Sequence, residues 1–194
     1  MPISCEVKGR FIIVSAPSGA GKTTIVKRLM EAGMGLEFSV SAASREPRAN
    51  ETNGKDYYFI SAADFRNRIS NGELLEWQEV YKDQYYGTLK SEVDRIWKNG
   101  HHVLFDVDVQ GGMNLKSMYP ENSLSIFIMP PSLEELERRL RIRSTENHES
   151  LRKRLEKAGM ELKFAERFDR IVINDNLETA VQQIITMVSQ YLTS

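Results

Sequence analysis

The stretch Phe11-Ile-Ile-Val-Ser-Ala-Pro-Ser-Gly-Ala-Gly-Lys-Thr-Thr24 decides the fold of this chain. The β-branched apolar run from Phe11 to Val14 predicts a buried strand, and the small residues after it predict a tight loop. Apolar residues then recur at helical spacing until Gly33. A strand, a glycine loop and a helix N-terminus in this order present backbone N–H groups and a partial positive charge, which together form an anion-binding site.

The loop matches the nucleotide phosphate-binding pattern Gly-x-x-x-x-Gly-Lys-[Ser/Thr] except at its first position, where Ala16 stands in place of glycine. In that pattern Lys22 would reach the β- and γ-phosphates, and the Thr23 hydroxyl would bind Mg²⁺. The alternative is an ordinary glycine-rich turn. We favour a phosphate loop because the strand and the helix lie where the motif needs them.

Composition excludes several classes of protein. The 26 basic and 27 acidic residues give a net charge of −1, so overall charge argues neither for nor against nucleic acid. The single cysteine, Cys5, excludes an internal disulfide framework and suits a reducing compartment. Residues 11–14 are too short a run for a signal peptide or a membrane span. We expect a soluble, cytoplasmic protein with neither a nucleic-acid nor a membrane partner, and the sequence leaves its oligomeric state open.

The middle of the chain differs from the rest in its predicted elements. A polar loop over residues 42–56, with Pro47 and an Asn53-Gly54 turn, is expected to enter a hairpin, and Ser61 with Asp64 predicts a helix start. Short strands are predicted over residues 36–41, 57–60, 74–80 and 85–88. This block therefore predicts a small, mostly β insertion. Around it, strands alternate with helices, which implies an α/β protein with a parallel central sheet covered on both faces, hence three layers.

Two acidic residues end the strand that begins at His102. In doubly wound folds, ligands lie beyond the carboxyl ends of the strands, so Asp106 and Asp108 are expected near the phosphate loop. Asp106 is placed like the acid that holds Mg²⁺ or its waters in phosphate-loop enzymes. The alternative role for Asp106 is that of a helix cap for the following segment.

Two groups of arginines are candidates for binding phosphate. Arg45 and Arg48 stand in the polar loop, with Tyr57 and the Tyr85-Tyr86 pair nearby in sequence, and could surround a phosphate monoester. Taken alone, the loop composition favours a solvated polar loop instead.

The second group lies between Arg138 and Arg154. Glutamates four residues earlier predict helical ion pairs for Arg138, Arg139 and Arg141. Such pairs contribute only ~0.3–0.5 kcal/mol each, which does not explain so dense a cluster. Arg143 has no acid at that spacing, and Arg154 follows Ser150 there. The histidines and Cys5 form no set with metal-ligand spacing, so we expect no zinc site.

Along nearly its whole length the sequence resembles guanylate kinases. The resemblance is carried by an ordered series of segments: Ser15-Ala-Pro-Ser-Gly-Ala-Gly-Lys-Thr-Thr24, residues 39–48, Asn53-Gly-Lys-Asp-Tyr-Tyr-Phe59, Glu76-Trp77, Tyr86-Gly87-Thr88, Asp106-Val-Asp-Val-Gln-Gly111, Arg143-Ser-Thr-Glu146 and Val172-Ile-Asn-Asp175. The sequence departs from that family's pattern at Asn50, at Ala43-Ser44, at Ser144 and by one residue around 82–84. The series replaces the solvated-loop interpretation of Arg45 and Arg48.

This resemblance implies transfer of the γ-phosphoryl group of ATP to GMP, with Mg²⁺ accompanying ATP and Thr23 and Asp106 as metal ligands. The implied ATP-binding residues are Ala16, Pro17, Ser18, Gly19, Ala20, Gly21, Lys22, Thr23, Thr24 and Asn174, the last near the adenine. The implied GMP-binding residues are Ser41, Arg45, Arg48, Tyr57, Glu76, Tyr86, Gly87, Thr88 and Asp108. The implied catalytic residues are Lys22, Arg45, Arg139, Arg143 and Arg154.

The chemistry of guanine agrees with this assignment. Its N1–H and 2-amino groups are donors, so carboxylates such as Glu76 and Asp108 suit them, and its O6 could accept from the hydroxyl of Thr88 or Ser41. Adenine has the opposite pattern and would leave the carboxylates unpaired. A site that hydrogen-bonds its substrate can reject the mismatched analogue by ~10⁴-fold or more.

The resemblance also implies a P-loop NTPase fold in three parts. These are a core over residues 1–37, 92–130 and 158–194, a GMP-binding insertion over 38–91 and a helical lid over 131–157. Two other functions stay open from the sequence. One is a non-catalytic domain of the same fold that binds peptides, although such domains usually lack a working phosphate loop. The other is a kinase of the same lineage that acts on another phosphorylated acceptor.

Overall fold

The structure, a computed structural model, describes residues 9–143 and 148–194, and of Arg143 and His148 it describes the backbone alone. The described residues form these strands: β1 (Phe11–Ser15), β2 (Leu36–Phe38), β3 (Ala42–Ala43), β4 (Tyr58–Phe59), β5 (Leu74–Tyr81), β6 (Gln84–Leu89), β7 (His102–Asp106), β8 (Ser123–Met129) and β9 (Arg170–Ile173). They also form these helices: α1 (Lys22–Glu31), α2 (Ala62–Ser70), α3 (Lys90–Lys98), α4 (Val109–Met118), α5 (Leu133–Arg143), α6 (His148–Leu162) and α7 (Leu177–Thr193). A short 3₁₀ helix spans Ala165–Arg167.

A parallel five-stranded sheet forms the centre, in the order β2-β7-β1-β8-β9. Side chains alternate across β1 because successive residues of a strand point to opposite faces. Ile12 and Val14 pack with residues of α1 and α7, whereas Phe11 and Ile13 pack with residues of α3 and α4. All four are fully buried, which explains why the strand reads as a continuous apolar run. The predicted three-layer α/β architecture is confirmed.

A second, mixed sheet has the order β4-β3-β6-β5. Its apolar face packs on α2 through a cluster that includes Phe65 and Tyr85. The hairpin of β5 and β6 turns at residues 82–83, where Asp83 has a φ of 61°. The expected hairpin at the end of the 42–56 loop is wrong, because this segment contains β3, which pairs with β4 in parallel. All these strands lie within the predicted insertion, but its boundaries stay a prediction.

Four described helix starts, those of α2, α4, α5 and α7, use side-chain caps that polar residues supply. At α7 the cap is Asn176, whose Oδ1 accepts from the N–H of Thr179 at 3.0 Å. The hydroxyls of Ser61 and Ser132 accept hydrogen bonds from the third residue after each, at 3.0 and 3.1 Å. At the start of α4 the cap is Asp108, whose Oδ1 accepts from the N–H of Gly111 at 2.8 Å. The sequence left open whether Asp106 caps the helix that follows it. In the structure the capping residue is Asp108 instead. Within the described ranges, no helix combines the length and apolar character needed to cross a bilayer.

Candidate active site

The loop between β1 and α1 is held in a conformation that depends on two glycines. Gly19 and Gly21 have φ values of 91° and 97°, a region that residues with a Cβ rarely adopt. A Cβ on Gly21 would also lie 2.3 Å from Nδ2 of Asn174. That same Nδ2 donates a 2.8 Å hydrogen bond to the carbonyl of Ala20. The amide of Asn174 thus fixes the loop, while its predicted contact with adenine stays a prediction.

The N-terminus of α1 opens toward this loop without a side-chain cap. Gly21 supplies no capping hydrogen bond, and no acidic residue stands in the first turn. The first N–H groups of a helix lack partners within the helix, and the helix dipole makes this end partially positive. The loop and the helix start therefore suit a phosphate group.

Lys22 and Asp106 meet beside this loop because β1 and β7 are neighbours in the sheet, with Val14 opposite Asp106. Nζ of Lys22 lies 2.5 Å from Oδ1 of Asp106 and donates to the carbonyl of Val107 at 2.7 Å. Thr23, on the next position of α1, is exposed. A lysine in this position lies next to the loop where a phosphate would bind. If Lys22 turned from Asp106 to that phosphate, the carboxylate of Asp106 would lose its ion pair and become available to another cation.

Thr23 and Asp106 offer hydroxyl and carboxylate oxygens, the ligand type that Mg²⁺ prefers. Both line the same cleft. In the part of the chain that the structure describes, no group of three or more His, Cys, Asp or Glu side chains could hold a metal ion. The residues fit a magnesium ion that takes most of its ligands from nucleotide phosphates and water.

Arg45 lies at the centre of a second charged group. Its Nη1 and Nη2 each donate to one oxygen of Glu51 at 2.6 Å, and its Nε donates to the hydroxyl of Tyr86 at 2.9 Å. The guanidinium also lies over the ring of Tyr57, 5.1 Å from its centre. The hydrogen bonds from Arg45 lower the pKa of Glu51 to about 2. Arg48, by contrast, is exposed at the edge of the loop.

Glu76 and Thr88 form a buried polar pair where β5 and β6 are in register. The hydroxyl of Thr88 donates to Oε1 of Glu76 at 2.9 Å. Burial raises the pKa of Glu76 to about 7, and the nearby charge of Asp108 acts in the same direction. This bond uses the only hydroxyl hydrogen of Thr88. The hydrogen bond that we expected Thr88 to donate to guanine O6 would therefore have to replace it. Gly87 allows the close pairing of the strands, since a Cβ there would lie 2.5 Å from the carbonyl of Glu76.

The arginines of α5 whose side chains the structure describes are paired with glutamates of the same helix. Arg139 donates to Glu135 at 2.8 Å and to the carbonyl of Asn174 at 3.0 Å. The predicted pair of Arg141 with Glu137 is confirmed at 2.6 Å. Arg138 pairs with Glu135 at 2.7 Å, so its predicted pairing with the glutamate four residues earlier is wrong.

Two further lid arginines were predicted to act on the phosphoryl group. Arg154 lies partly buried on α6. Arg143 ends α5, and its side chain lies outside what the structure describes. Their catalytic roles stay predictions.

One cleft of about 650 Å³ collects most of these groups. The predicted site residues that line it are Lys22, Thr23, Ser41, Tyr57, Glu76, Tyr86, Gly87, Asp106 and Asp108. Arg45 and Thr88 stand directly behind them, in contact with Tyr86 and Glu76. The predicted site residues that do not line it include residues 16–21 of the phosphate loop, Thr24, Arg48, Arg139, Arg154 and Asn174.

Sequence reasoning missed several residues that line the cleft, among them Glu51, Gln78 and Lys157. Gln78 follows Glu76 by two positions on the same strand, and this spacing could have revealed it. Lys157 follows Arg154 by three positions on α6, which is also the spacing of one helix face. No comparable signal exists for Glu51, because it meets Arg45 only through the path of a loop.

Known proteins resemble this chain along its length. The family model for guanylate kinase matches residues 8–191. A curated guanylate kinase from Porphyromonas gingivalis is 48% identical over 184 residues, which covers 94% of this chain and 98% of the relative. This chain belongs to the guanylate kinase family. Another guanylate kinase, from Bacteroides thetaiotaomicron, is 47% identical and covers 96% of this chain and 92% of its own length.

Solved structures place the fold in the same family. The crystal structure of guanylate kinase from Anaplasma phagocytophilum matches with a TM-score of 0.77 and 31% identity, covering 96% of this chain and 87% of that one. A shikimate kinase from Bacteroides thetaiotaomicron matches with a TM-score of 0.51 at 13% identity, a likeness of fold alone.

The described positions at which the sequence departs from the guanylate kinase pattern are not among the residues that line the cleft. Ala16, which departs only from the general phosphate-loop pattern, is buried directly after β1. Asn50 is exposed in the Arg45 loop, and the residues around 82–84 form the tip of the β5–β6 hairpin. Ala43 is fully buried in β3. Ser144 lies outside the described residues.

Proposed function

We propose that this protein transfers the γ-phosphoryl group of ATP to GMP, and to dGMP, giving ADP and the guanosine diphosphate. Its membership of the guanylate kinase family supports the reaction. One structural observation carries the proposal: a single cleft is lined both by Lys22 and Thr23 of the phosphate loop and by the carboxylates of Glu76 and Asp108. A phosphate donor and a guanine base can therefore occupy the same cleft.

In the proposed complex the phosphate of GMP binds Arg45, Arg48, Tyr57 and Tyr86, and its base binds Glu76 and Asp108. Burial raises the pKa of Tyr57, so its hydroxyl stays a hydrogen-bond donor at neutral pH. Arginine can hold a phosphate through two parallel hydrogen bonds. Arg45 would give up part of its pairing with Glu51 to do so.

The proposed chemical step needs alignment and charge neutralisation. An oxygen of the GMP phosphate attacks the γ-phosphorus of ATP while the bond to the β,γ-bridging oxygen breaks, and the electron pair leaves with ADP. The attacking oxygen is already anionic, so the step uses no general base. Lys22 would hold the β- and γ-phosphates, and Arg139, Arg143 and Arg154 would neutralise charge on the transferring group. Mg²⁺ bound with ATP, held by Thr23 and Asp106, would neutralise further phosphate charge.

The predicted division into a core, a GMP-binding insertion and a lid is part of this proposal. A water-filled site would hydrolyse ATP, so the insertion and the lid are expected to close over the two nucleotides. A cytoplasmic location also stays a prediction.

The test is a coupled assay for ADP release with ATP, Mg²⁺ and a panel of acceptors: GMP, dGMP, AMP, UMP and a sugar phosphate. We expect turnover with GMP and dGMP, and a kcat/KM for AMP lower by ~10⁴-fold. Lys22→Ala should abolish turnover while the circular dichroism spectrum stays that of the wild type. A protein that preferred AMP, or that released no ADP with any acceptor, would contradict the proposal.

A further inference from the structure

Glu92, in the first turn of α3, carries a buried carboxylate that does not line the cleft. Its side chain is only 2% exposed, and each of its oxygens accepts two hydrogen bonds. Oε1 accepts from the backbone N–H of Val40 at 3.0 Å and from Nη2 of Arg95 at 2.9 Å. Oε2 accepts from the hydroxyl of Tyr58 and from Nε of Arg95, each at 3.0 Å. The carboxylate therefore joins α3 to two other segments of the chain.

The hydrogen bonds to Glu92 keep this carboxylate ionised. Burial alone would raise the pKa of Glu92, but the hydrogen bonds from Arg95, Val40 and Tyr58 hold it below its ordinary value. Charge-assisted hydrogen bonds are shorter and stronger than neutral ones, so an ionised carboxylate fixes its donors firmly. Replacing a buried ion pair by well-packed apolar residues is often neutral for stability. Stability alone therefore does not explain why a charged group stands at this position.

Glu92 lies where the chain crosses between the two sheets. Residues 39–41 lead from β2 of the central sheet to β3 of the second sheet, and α3 follows directly after β6. α3 packs on the central sheet through residues that include Ile96, and β1 of that sheet leads into the phosphate loop. Glu92 is thus fixed to the central sheet. Two of its donors, by contrast, stand on the crossing segment (Val40) and in the second sheet (Tyr58).

Both of these donors are direct neighbours of residues that line the cleft. Val40 precedes Ser41, and Tyr58 follows Tyr57. Ser41 and Tyr57 line the cleft. The two neighbours are also joined to each other, because the N–H of Tyr58 donates to the carbonyl of Ser41 at 2.9 Å. A displacement of either donor from Glu92 would therefore move cleft residues relative to the phosphate loop.

We propose that Glu92 is a positioning residue, which sets where the part of the cleft that binds GMP stands relative to the phosphate loop. Through the N–H of Val40 it fixes the position of Ser41. Through the hydroxyl of Tyr58 it fixes that of Tyr57, which the proposed function assigns to the GMP phosphate. The inference rests on the proposed function, because it requires that this part of the cleft bind GMP.

The test measures the KM for GMP and the KM for ATP, by ADP release, in the wild type, Glu92→Ala and Tyr58→Phe. We expect Glu92→Ala to raise the KM for GMP about tenfold, because a small misplacement of binding groups weakens binding strongly. Tyr58→Phe removes one hydrogen bond and keeps the pair of Glu92 with Arg95, so it should raise this KM about fivefold. In both variants the KM for ATP should change by less than about twofold, because the phosphate loop follows a strand of the central sheet.

The matched control is Glu37→Ala. Glu37, on β2, is also a carboxylate that accepts from Arg95, and it contacts Nδ1 of His101 at 2.8 Å. The structure describes no hydrogen bond from Val40 or Tyr58 to it. Its removal should lower the free energy of unfolding, measured in urea, and leave the KM for GMP unchanged. If Glu92 served stability alone, Glu37→Ala and Glu92→Ala would affect the KM for GMP alike.

Three outcomes would overturn the inference: an unchanged KM for GMP in Glu92→Ala, an unchanged KM in Tyr58→Phe, or an equal rise in Glu37→Ala. If Glu92→Ala fails to fold, Tyr58→Phe and Glu37→Ala still decide, because both keep the carboxylate of Glu92. A wild type that releases no ADP with GMP would contradict the proposed function and the inference together. An active wild type with any of the three outcomes would refute the role of Glu92 alone.

Discussion

At the scale of single residues, Arg45 already donates hydrogen bonds from all three of its guanidinium nitrogens. A phosphate bound there exchanges with the carboxylate of Glu51. We expect Arg45→Ala to raise the KM for GMP about 10- to 100-fold, because charge-assisted hydrogen bonds contribute about 1.5–3 kcal/mol. The KM for ATP should change less than threefold. Steady-state kinetics with each nucleotide varied in turn measures both effects.

The matched control for this substitution is Arg66→Ala. Arg66 is also an arginine paired with an acid, Asp83, at 2.6 Å, but it is exposed on α2. It should leave both KM values unchanged. If the two substitutions had equal effects on the KM for GMP, Arg45 would not be a GMP-binding residue.

Glu76 makes stability depend on pH. Burial raises the pKa of this carboxyl to about 7 in the folded protein, whereas it is about 4.5 in the unfolded chain. Between these values the native state binds more protons than the unfolded state, so stability falls as pH rises and levels off above about pH 7. Glu76→Gln removes this loss. We expect the variant to gain stability over the wild type between pH 4.5 and 7, by about 3 kcal/mol at the upper end.

Urea unfolding at a series of pH values measures this difference. Two stability curves that stay parallel from pH 4.5 to 8 would show that Glu76 titrates normally. The same variant should bind GMP less tightly, because an amide cannot accept as a carboxylate does from two donors of guanine. A residue that costs stability and improves binding is typical of a functional site.

These residues also show how far sequence reasoning reaches. Glu76, Asp108 and Tyr86 belong to recognisable motifs, and all of them line the cleft. The ion pair of Arg45 with Glu51 could not be predicted, because a loop has no periodicity that brings residues six apart together. The sequence also cannot show whether Asp106 or Asp108 is the helix cap, because that depends on the exact residue at which β7 ends and α4 begins.

At the scale of elements, the phosphate loop, α5 and the segment after β9 meet at Asn174. Its Nδ2 donates to Ala20, and its carbonyl accepts from Arg139. A Cβ on Gly21 would collide with that Nδ2. We expect Gly21→Ala to raise the KM for ATP and to lower stability, through both the collision and the positive φ, a conformation that costs a residue with a Cβ about 1–3 kcal/mol.

A double-mutant cycle separates these two causes. Asn174→Ala removes the colliding atom, so Gly21→Ala should cost less in the Asn174→Ala background than in the wild type. The difference in unfolding free energy between the two backgrounds measures the collision, and what remains measures the backbone strain. Strictly additive effects would contradict the close contact.

The elements differ in how well their sequences reveal them. β1 is an apolar run bounded by a turn, so it was predicted to within one residue, whereas the strand predicted over residues 36–41 ends at Phe38. β3 was missed because a strand of two residues has no period, and it exists only through its pairing with β4 and β6. α6 ends at Leu162, and a separate 3₁₀ turn follows at Ala165–Arg167.

At the scale of the whole molecule, α1, the two sheets and α6 contribute different polar and charged side chains to one cleft. Lys22 comes from the start of α1, Asp106 from the end of β7, Glu76 and Gln78 from β5, and Lys157 from α6. In the proposed reaction the carboxylates would select the base, and the cations would neutralise the phosphates. A reaction between two polyanionic nucleotides requires the carboxylates and the cations in the same cleft. The catalytic roles of the arginines in the candidate lid have still to be tested by kinetics.

We therefore expect Arg143→Ala to lower kcat by ~10³-fold with little change in either KM, because an arginine that acts only on the transferring phosphoryl group stabilises the transition state. Arg141 provides a control on the same helix, since it is exposed and paired with Glu137 at 2.6 Å. Arg141→Ala removes the same charge from the same helix and should change kcat less than threefold. Single-turnover kinetics on both variants measures the chemical step directly. If the two substitutions lower the rate equally, Arg143 contributes only to the general positive charge of the lid.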